Sequence, residues 1–182
     1  PVTGNLNVGT AAQPANSLAP ESASRVPFTT FTLTNNSSAA VTVSSVTVQK
    51  TGLGDKAAFS GLILVDGNGM QLGSPKTLNS NNQASLDAML TLQPGQMVTL
   101  TVAGNMAADL TNYTGQVLSV TVVGINTTAT VSGSLPITGA SHTLNSTLDI
   151  GGLQLYVGPT DPDSDTLDTS GKEIGTTGYT VA

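Results

Sequence analysis

The chain of 182 residues contains no cysteine and no tryptophan, and only 9% of its residues are charged. The absence of cysteine excludes disulfide bonds, zinc–thiolate sites and thiol catalysis. Aromatic residues make up 3% of the chain, so stacking surfaces for sugars or nucleobases are scarce. No apolar run approaches the roughly 20 residues of a membrane-spanning helix. The sequence therefore lacks many of the residue types from which binding and catalytic sites are built.

Positive charge is also scarce, because five lysines and arginines accompany eleven acidic residues, which gives a formal net charge of -6. Binding to nucleic acid or to an anionic membrane surface relies on clusters of cationic side chains. The sequence contains no such cluster. We therefore expect no nucleic-acid partner and no membrane insertion.

The chain is instead rich in threonine, serine, valine and alanine, and it has 20 glycines for turns. Apolar and polar residues alternate with a period of two, most clearly at residues 28–34 and 98–102, and helical periodicity is almost absent. Short strands separated by Gly, Pro and Asn turns predict an all-β fold, an immunoglobulin-like β-sandwich. We place this domain at residues 1–145.

Several local patterns give sharper predictions. Residues 28–34 and 41–48 are predicted to pair as a β-hairpin, and residues 62–65 to form a buried strand that turns back at residues 66–69. The remaining predictions are a central strand at 117–123, weaker strands at 129–131 and 142–144, and helical turns at 55–58 and 105–110.

Catalytic patterns are missing from the sequence. His142 is the only histidine, and without a second histidine, a cysteine or a nearby carboxylate cluster it is a poor metal ligand and a poor catalytic base. No Gly-x-Ser-x-Gly motif precedes a predicted helix. We expect no enzymatic activity and no catalytic residue. Six acidic residues are interpreted as structural, because most of them lie in predicted turns, where aspartate caps or bends the backbone: Glu21, Asp55, Asp66, Asp87, Asp109 and Asp149.

The other five acidic residues lie in one short segment near the C-terminus. Carboxylates at every second position match the start of a calcium-binding loop, but Thr166 stands where the EF-hand pattern has glycine and Lys172 where it has glutamate. The segment is either a calcium site or a solvated acidic loop, and calcium is the one cofactor that the sequence leaves open. The candidate calcium ligands are Asp161, Asp163, Asp165 and Asp168.

The clearest internal feature is a repeated opening. Residues 5–9 (NLNVG) have a counterpart at residues 147–151 (TLDIG), and each copy is followed by a Pro-containing, Ser/Thr-rich stretch. An aromatic–Thr–aliphatic triplet then follows at residues 31–33 and again at residues 179–181. We interpret residues 146–182 as a C-terminal extension that carries the opening strands of a second β domain. Such strands need a partner for their backbone groups.

The pattern of strands and turns also resembles a known kind of protein. Residues 15–48, with the core PFTTFTLTNN, and residues 92–105, LQPGQMVTLTVAGN, are similar to immunoglobulin-like repeats of secreted bacterial cell-surface proteins, both S-layer-like and filament-forming. The resemblance implies a structural or adhesive role at the cell surface. It assigns no functional residue.

Two functions fit these patterns. The first is a structural subunit of an extracellular filament or surface layer, in which copies of the chain polymerise head to tail by β-strand donation. The alternative is an adhesin or carbohydrate-binding module of a larger surface protein, although the shortage of aromatic residues speaks against it. The candidate donor residues at the subunit interface are Leu148, Ile150, Leu153, Leu155, Val157, Tyr179 and Val181.

Overall fold

The computed structural model describes residues 4–148, and within them it contains strands and two single turns of 3-10 helix, so the predicted all-β class is confirmed. The 3-10 turns are Lys56–Ala58 and Thr111–Tyr113. The strands are β1 Asn5–Thr10, β2 Ser17–Pro20, β3 Val26–Asn35, β4 Val41–Thr51, β5 Phe59–Asp66, β6 Gln71–Lys76, β7 Gln83–Leu92, β8 Met97–Met106, β9 Val117–Thr127, β10 Thr130–Gly133 and β11 Ile137–Asn145.

The strands form two sheets that pack together as a β-sandwich. Sheet 1 has the order β10-β1-β3-β8-β5-β6, and sheet 2 has the order β2-β11-β9-β4-β7. Neighbouring strands are antiparallel except for β1 with β10 and β2 with β11, which are parallel. Strands β1 and β2 are consecutive in the chain but belong to different sheets, so the segment between them connects the two sheets along one side.

The core between the sheets is aliphatic, with three phenylalanines. Phe28, Phe31 and Phe59 are buried, and the rings of Phe28 and Phe59 meet edge to face with centroids 5.4 Å apart. In β8 the predicted alternation is confirmed, because Leu100 and Val102 are buried while the threonines between and before them are partly exposed. Each fully buried aliphatic side chain stabilises the fold by about 1.5–3 kcal/mol relative to exposure.

Several local predictions are confirmed. β5 is a buried strand that turns at residues 66–69 and pairs with β6, with Val65 opposite Gln71. β9 lies at the centre of sheet 2, between β11 and β4. The helical turn predicted at residues 55–58 is the first 3-10 turn, which Asp55 caps by accepting the backbone N–H of Ala57 at 2.8 Å.

The predicted hairpin of residues 28–34 with 41–48 is wrong, because β3 lies in sheet 1 and β4 in sheet 2. The buried side chain of Asn35 explains the crossing. Its amide donates to the carbonyl oxygens of Ala39 (2.8 Å) and Leu92 (2.9 Å), and its oxygen accepts the backbone N–H of Ser37 at 2.9 Å. These bonds satisfy the backbone of the loop where the chain leaves one sheet for the other.

The helical turn predicted at residues 105–110 is also wrong. Asn105 and Met106 continue β8, and the second 3-10 turn begins only at Thr111. Met106 is buried, and its N–H donates to the carbonyl oxygen of Ala23 at 2.8 Å, so long-range packing extends the strand.

The start and the end of the described chain lie at opposite ends of the sandwich. We call the end that contains Asn5 the upper end; there the backbone N–H of Asn36 donates to Asn5 O at 2.9 Å, and Asn35 contacts Leu92. In sheet 2, the upper end contains Leu92 of β7, which pairs with Val41 at the start of β4, and Thr127 at the end of β9.

The opposite, lower end contains the start of β9 and the end of β11. Val117 pairs with Thr143, and Asn145 accepts the backbone N–H of Glu21 at 3.1 Å. β9 separates the two ends with eleven residues, Val117–Thr127. At about 3.4 Å per residue the two ends of the sandwich are roughly 35 Å apart.

Candidate functional site

The one histidine of the chain joins three strands. His142 in β11 is 1% exposed, and its Nε2 lies 2.8 Å from the carbonyl oxygen of Pro27 in β3. A carbonyl only accepts hydrogen bonds, so Nε2 carries the proton. Nδ1 therefore accepts, from the backbone N–H of Ser17 in β2 at 3.2 Å. The ring of Phe28 meets the imidazole edge to face at 4.7 Å between centroids.

Ser17 Oγ lies 2.9 Å from His142 Nδ1, the spacing of a nucleophile and its base. Catalysis also requires a group that orients the base, donors for an oxyanion and a cavity for the substrate. Here a backbone carbonyl orients the imidazole, and Ser17 Oγ lies 3.1 Å from Leu18 O, to which it donates. We interpret the Ser17–His142 pair as a bridge between β2 and β11.

A pair of variants separates the imidazole from the hydroxyl. We expect His142→Ala to lower the free energy of unfolding by about 2–4 kcal/mol, because Pro27 O and Ser17 N–H lose their partner and a cavity opens beside Phe28. Ser17→Ala should cost less than about 1 kcal/mol, since the backbone N–H still reaches Nδ1. Urea unfolding monitored by circular dichroism measures both values. Equal losses for the two variants would contradict the bridging role of the imidazole.

The acidic side chains of residues 4–148 accept backbone N–H groups or form an ion pair. Asp87 pairs with Lys76 at 2.7 Å, and both side chains are partly exposed. Within this range no three metal-ligating side chains come together. The other acidic side chains accept hydrogen bonds from backbone N–H groups: Glu21 from Leu110, Asp55 from Ala57, Asp66 from Asn68 and Met70, and Asp109 from Thr111.

The carboxylate of Asp109 accepts hydrogen bonds from Thr111. The hydrogen bond from the backbone N–H of Thr111, followed by the one from the threonine side chain, lowers the pKa of Asp109 below its usual value. A carboxyl with a lowered pKa contributes stability above its unfolded pKa. That contribution is lost as the pH falls through the lower folded value.

A shallow cavity of about 240 Å³ opens between the two sheets toward the upper end. Its lining comes from Leu90 in β7, residues 98–100 in β8 and residues 66–68 at the end of β5. Drug-sized ligands occupy cavities of roughly 300–1,000 Å³ with a few convergent polar groups. This cavity is smaller, and its one ionisable lining residue, Asp66, already accepts two backbone N–H groups. We therefore interpret the cavity as a recess for apolar side chains.

Three exposed methionines are close in sequence to residues that line the cavity. Met70, Met89 and Met97 lie within two residues of a lining residue and are 67%, 82% and 62% exposed. Methionine side chains are flexible and apolar and are common on surfaces that bind protein segments. Met89 and Met97 each adjoin a lining residue within a strand, so their side chains point to the opposite face of the sheet.

The edge strands of the two sheets, β10, β6, β2 and β7, differ in how readily a further strand could pair with them. β2 and β10 have four residues each, and β2 ends in Pro20. β6 contains Pro75, whose nitrogen cannot donate to a ladder. β7 has ten residues without proline or glycine and pairs on one side only, with β4. Among the described strands, β7 therefore offers the longest edge without a proline.

Most of the predicted site residues lie outside the part of the chain that the structure describes. Leu148 is within it; the side chain is 44% exposed, and Asn145 Oδ1 accepts its backbone N–H at 2.6 Å. The predictions outside residues 4–148 are the donor residues Ile150, Leu153, Leu155, Val157, Tyr179 and Val181 and the calcium ligands Asp161, Asp163, Asp165 and Asp168.

No protein-family model matches the chain, and a search of curated proteins found no match. Between residues 4 and 148, no helix is long and apolar enough to cross a membrane. The resemblance to immunoglobulin-like surface repeats stays a prediction.

Proposed function

We propose that the protein is a structural subunit of an extracellular filament or surface layer, and that its subunits join head to tail by β-strand donation. The observation that carries the proposal is the position of the two ends of the described chain. Asn5 lies at the upper end of the sandwich, while Asn145 lies at the lower end. A donor at one end and an acceptor elsewhere on the molecule make a heterologous contact, which forms open chains rather than closed dimers.

The core of the described domain is already complete, and this limits where a donated strand could bind. β1 lies inside sheet 1, where Leu6 and Val8 are buried and the strand pairs with β3 and β10. The repeated segment at residues 147–151 therefore finds the corresponding position in a neighbouring subunit already filled. Donation adds a strand to a sheet edge, and the backbone ladder supplies the affinity.

An immunoglobulin-like identity and a cell-surface location complete the proposal. The sandwich of two mixed sheets supports the first, and the low charge with abundant threonine, serine and asparagine supports the second. The carbohydrate-binding alternative requires exposed aromatic rings. Of the four aromatic residues between positions 4 and 148, Phe28, Phe31 and Phe59 are buried in the core and Tyr113 is partly exposed.

Sedimentation velocity of the intact chain over a range of concentrations tests the proposal. We expect a series of oligomers that grows with concentration and has no fixed upper size, because each added subunit presents a new acceptor. A single species at every concentration, either a monomer or a closed dimer, would contradict head-to-tail assembly.

A further inference from the structure

The outer edge of β7 is divided into two halves. At Asp87 the strand is covered by β6, because a β-carbon on Gly73 would lie 2.8 Å from Asp87 Cβ and Lys76 forms its ion pair there. Just beyond, two residues of β7 bulge between the pairs Val43–Leu90 and Ser45–Asp87, and Met89 has a positive φ of 49°. A bulge bends a strand and changes the direction of its edge. The half after the bulge, Met89–Leu92, has β4 as its one described ladder partner.

The cavity lies beside this upper half. Leu90 lines the cavity, whereas Thr91 is exposed on the opposite face of the strand. Side chains directly opposite each other on neighbouring strands share a face of the sheet. A strand added to the edge at Met89–Leu92 would therefore direct every second side chain toward the cavity, and the side chains between them toward solvent.

The sequence of residues 153–157, Leu-Gln-Leu-Tyr-Val, fits such a position. Leu153, Leu155 and Val157 recur with a period of two, and the segment carries no charge. The acidic segment at residues 161–168 fits poorly, because it would bring carboxylates close to Asp66 at the cavity.

Chain length determines which copy supplies the segment. The half-strand Met89–Leu92 lies at the upper end, where Leu90 pairs with Val43 and Val43 with Thr127. It is roughly 30 Å or more from the lower end, where Leu148 follows β11. An extended chain reaches at most about 18 Å from Leu148 to Leu153, about 25 Å to Leu155 and about 32 Å to Val157. Within one copy, Leu153 and Leu155 therefore fall short of Met89–Leu92, and only Val157 could reach that height. The lower end of a second copy stacked on the upper end brings the whole segment close.

We infer that the acceptor is the half-strand Met89–Leu92 together with the adjoining cavity, and that residues 153–157 of a second copy occupy it. The inference rests on the proposed function, since it names the acceptor for the donated strand. It assigns Leu153, Leu155 and Val157 to the cavity side and Gln154 to the solvent side, next to Thr91 of the accepting copy.

The absence of cysteine makes disulfide trapping a clean test of this pairing. Two full-length variants, Thr91→Cys and Gln154→Cys, are mixed and mildly oxidised, and the cross-linked product is identified by mass spectrometry. Opposed residues on paired strands have β-carbons close enough for a disulfide bond. Moving the second cysteine along residues 152–158 should give cross-linking that alternates with a period of two.

The matched control is Leu18→Cys, on the β2 edge, where the native leucine is 48% exposed. We expect Thr91→Cys to cross-link roughly tenfold more with Gln154→Cys than Leu18→Cys does, because disulfide geometry tolerates little displacement. Equal or greater cross-linking through Leu18→Cys would overturn the β7 acceptor. Assembly of the intact chain without any cross-link at Thr91→Cys would overturn it as well and leave strand donation standing, whereas a chain that stays monomeric would refute both.

Discussion

Replacing Gly139 by alanine is expected to lower the free energy of unfolding by about 3 kcal/mol, at the upper end of the usual cost of overpacking. In a protein of this size such a loss lowers the melting temperature by roughly 6–12 °C. A β-carbon at Gly139 would overlap the carbonyl oxygen of Phe28 and lie 2.7 Å from Thr29 Cα. Both neighbours are backbone atoms of the other sheet, so no side chain can rotate away to make room.

The position of Gly139 explains the size of this effect. The residue lies in an irregular stretch of β11 between Thr138 and Ser141, where that strand of sheet 2 passes directly over β3 of sheet 1. Next to it, the buried hydroxyl of Thr29 donates to the carbonyl oxygen of Val120 and connects the same two sheets. An alanine here would separate the sheets along this side of the sandwich.

Gly67→Ala is the matched control for this substitution. Its β-carbon would lie 3.7 Å from Thr99 O, an ordinary contact, and we expect a change below about 1 kcal/mol. Thermal and urea unfolding of the two variants measure the difference. If Gly139→Ala is as stable as Gly67→Ala, the close approach of β11 to β3 is incorrect.

Removing residues 149–182 is expected to abolish assembly and leave folded monomers. The cut belongs after Leu148, because Asn145 Oδ1 accepts the backbone N–H groups of Thr147 and Leu148 and completes the end of β11. The sandwich core lies within the retained residues, so the melting temperature should stay within about 4 °C of the intact chain, the shift expected from about 1 kcal/mol.

Sedimentation velocity and thermal unfolding of the shortened chain measure these two expectations together. Folded monomers at concentrations where the intact chain assembles agree with donation through the tail. Oligomers of undiminished size would show that another surface joins the subunits. A shortened chain that no longer unfolds cooperatively would show instead that the tail belongs to the core.

The sequence predicted those features that depend on neighbouring residues. The Asp-Gly-Asn-Gly run fixed the turn between β5 and β6, the alternation in β8 predicted which side chains are buried, and the apolar run at residues 117–123 predicted the central strand β9. The acids in turns were also predictable, because aspartate accepts backbone N–H groups two residues ahead.

Features that depend on distant residues were not predictable in the same way. The polar run that begins at Asn35 is typical of a hairpin turn, but the buried amide of Asn35 bonds to Leu92, and that contact sends the chain to the other sheet. β2 has no alternating pattern of its own and is held through His142, far along the chain. Tertiary contacts therefore overrode local pattern at both places.

The acceptor edge is also a property of the whole fold. Residues 83–92 lack proline and glycine, and that is the only hint of an unprotected edge in the sequence. This composition matters only because β7 is the last strand of sheet 2 and has β4 as its one described ladder partner. The cavity beside it arises from three segments that are distant in the chain.

Electron microscopy of the intact, assembled chain tests head-to-tail donation most directly. The expected image is a single-file polar filament with an axial repeat of roughly 40 Å, the length of a sandwich built on eleven-residue strands plus its turns. Filament density should show one copy's tail joining the β7 edge of the next. Two-fold symmetric pairs, or only separate monomers at high concentration, would contradict the proposed assembly.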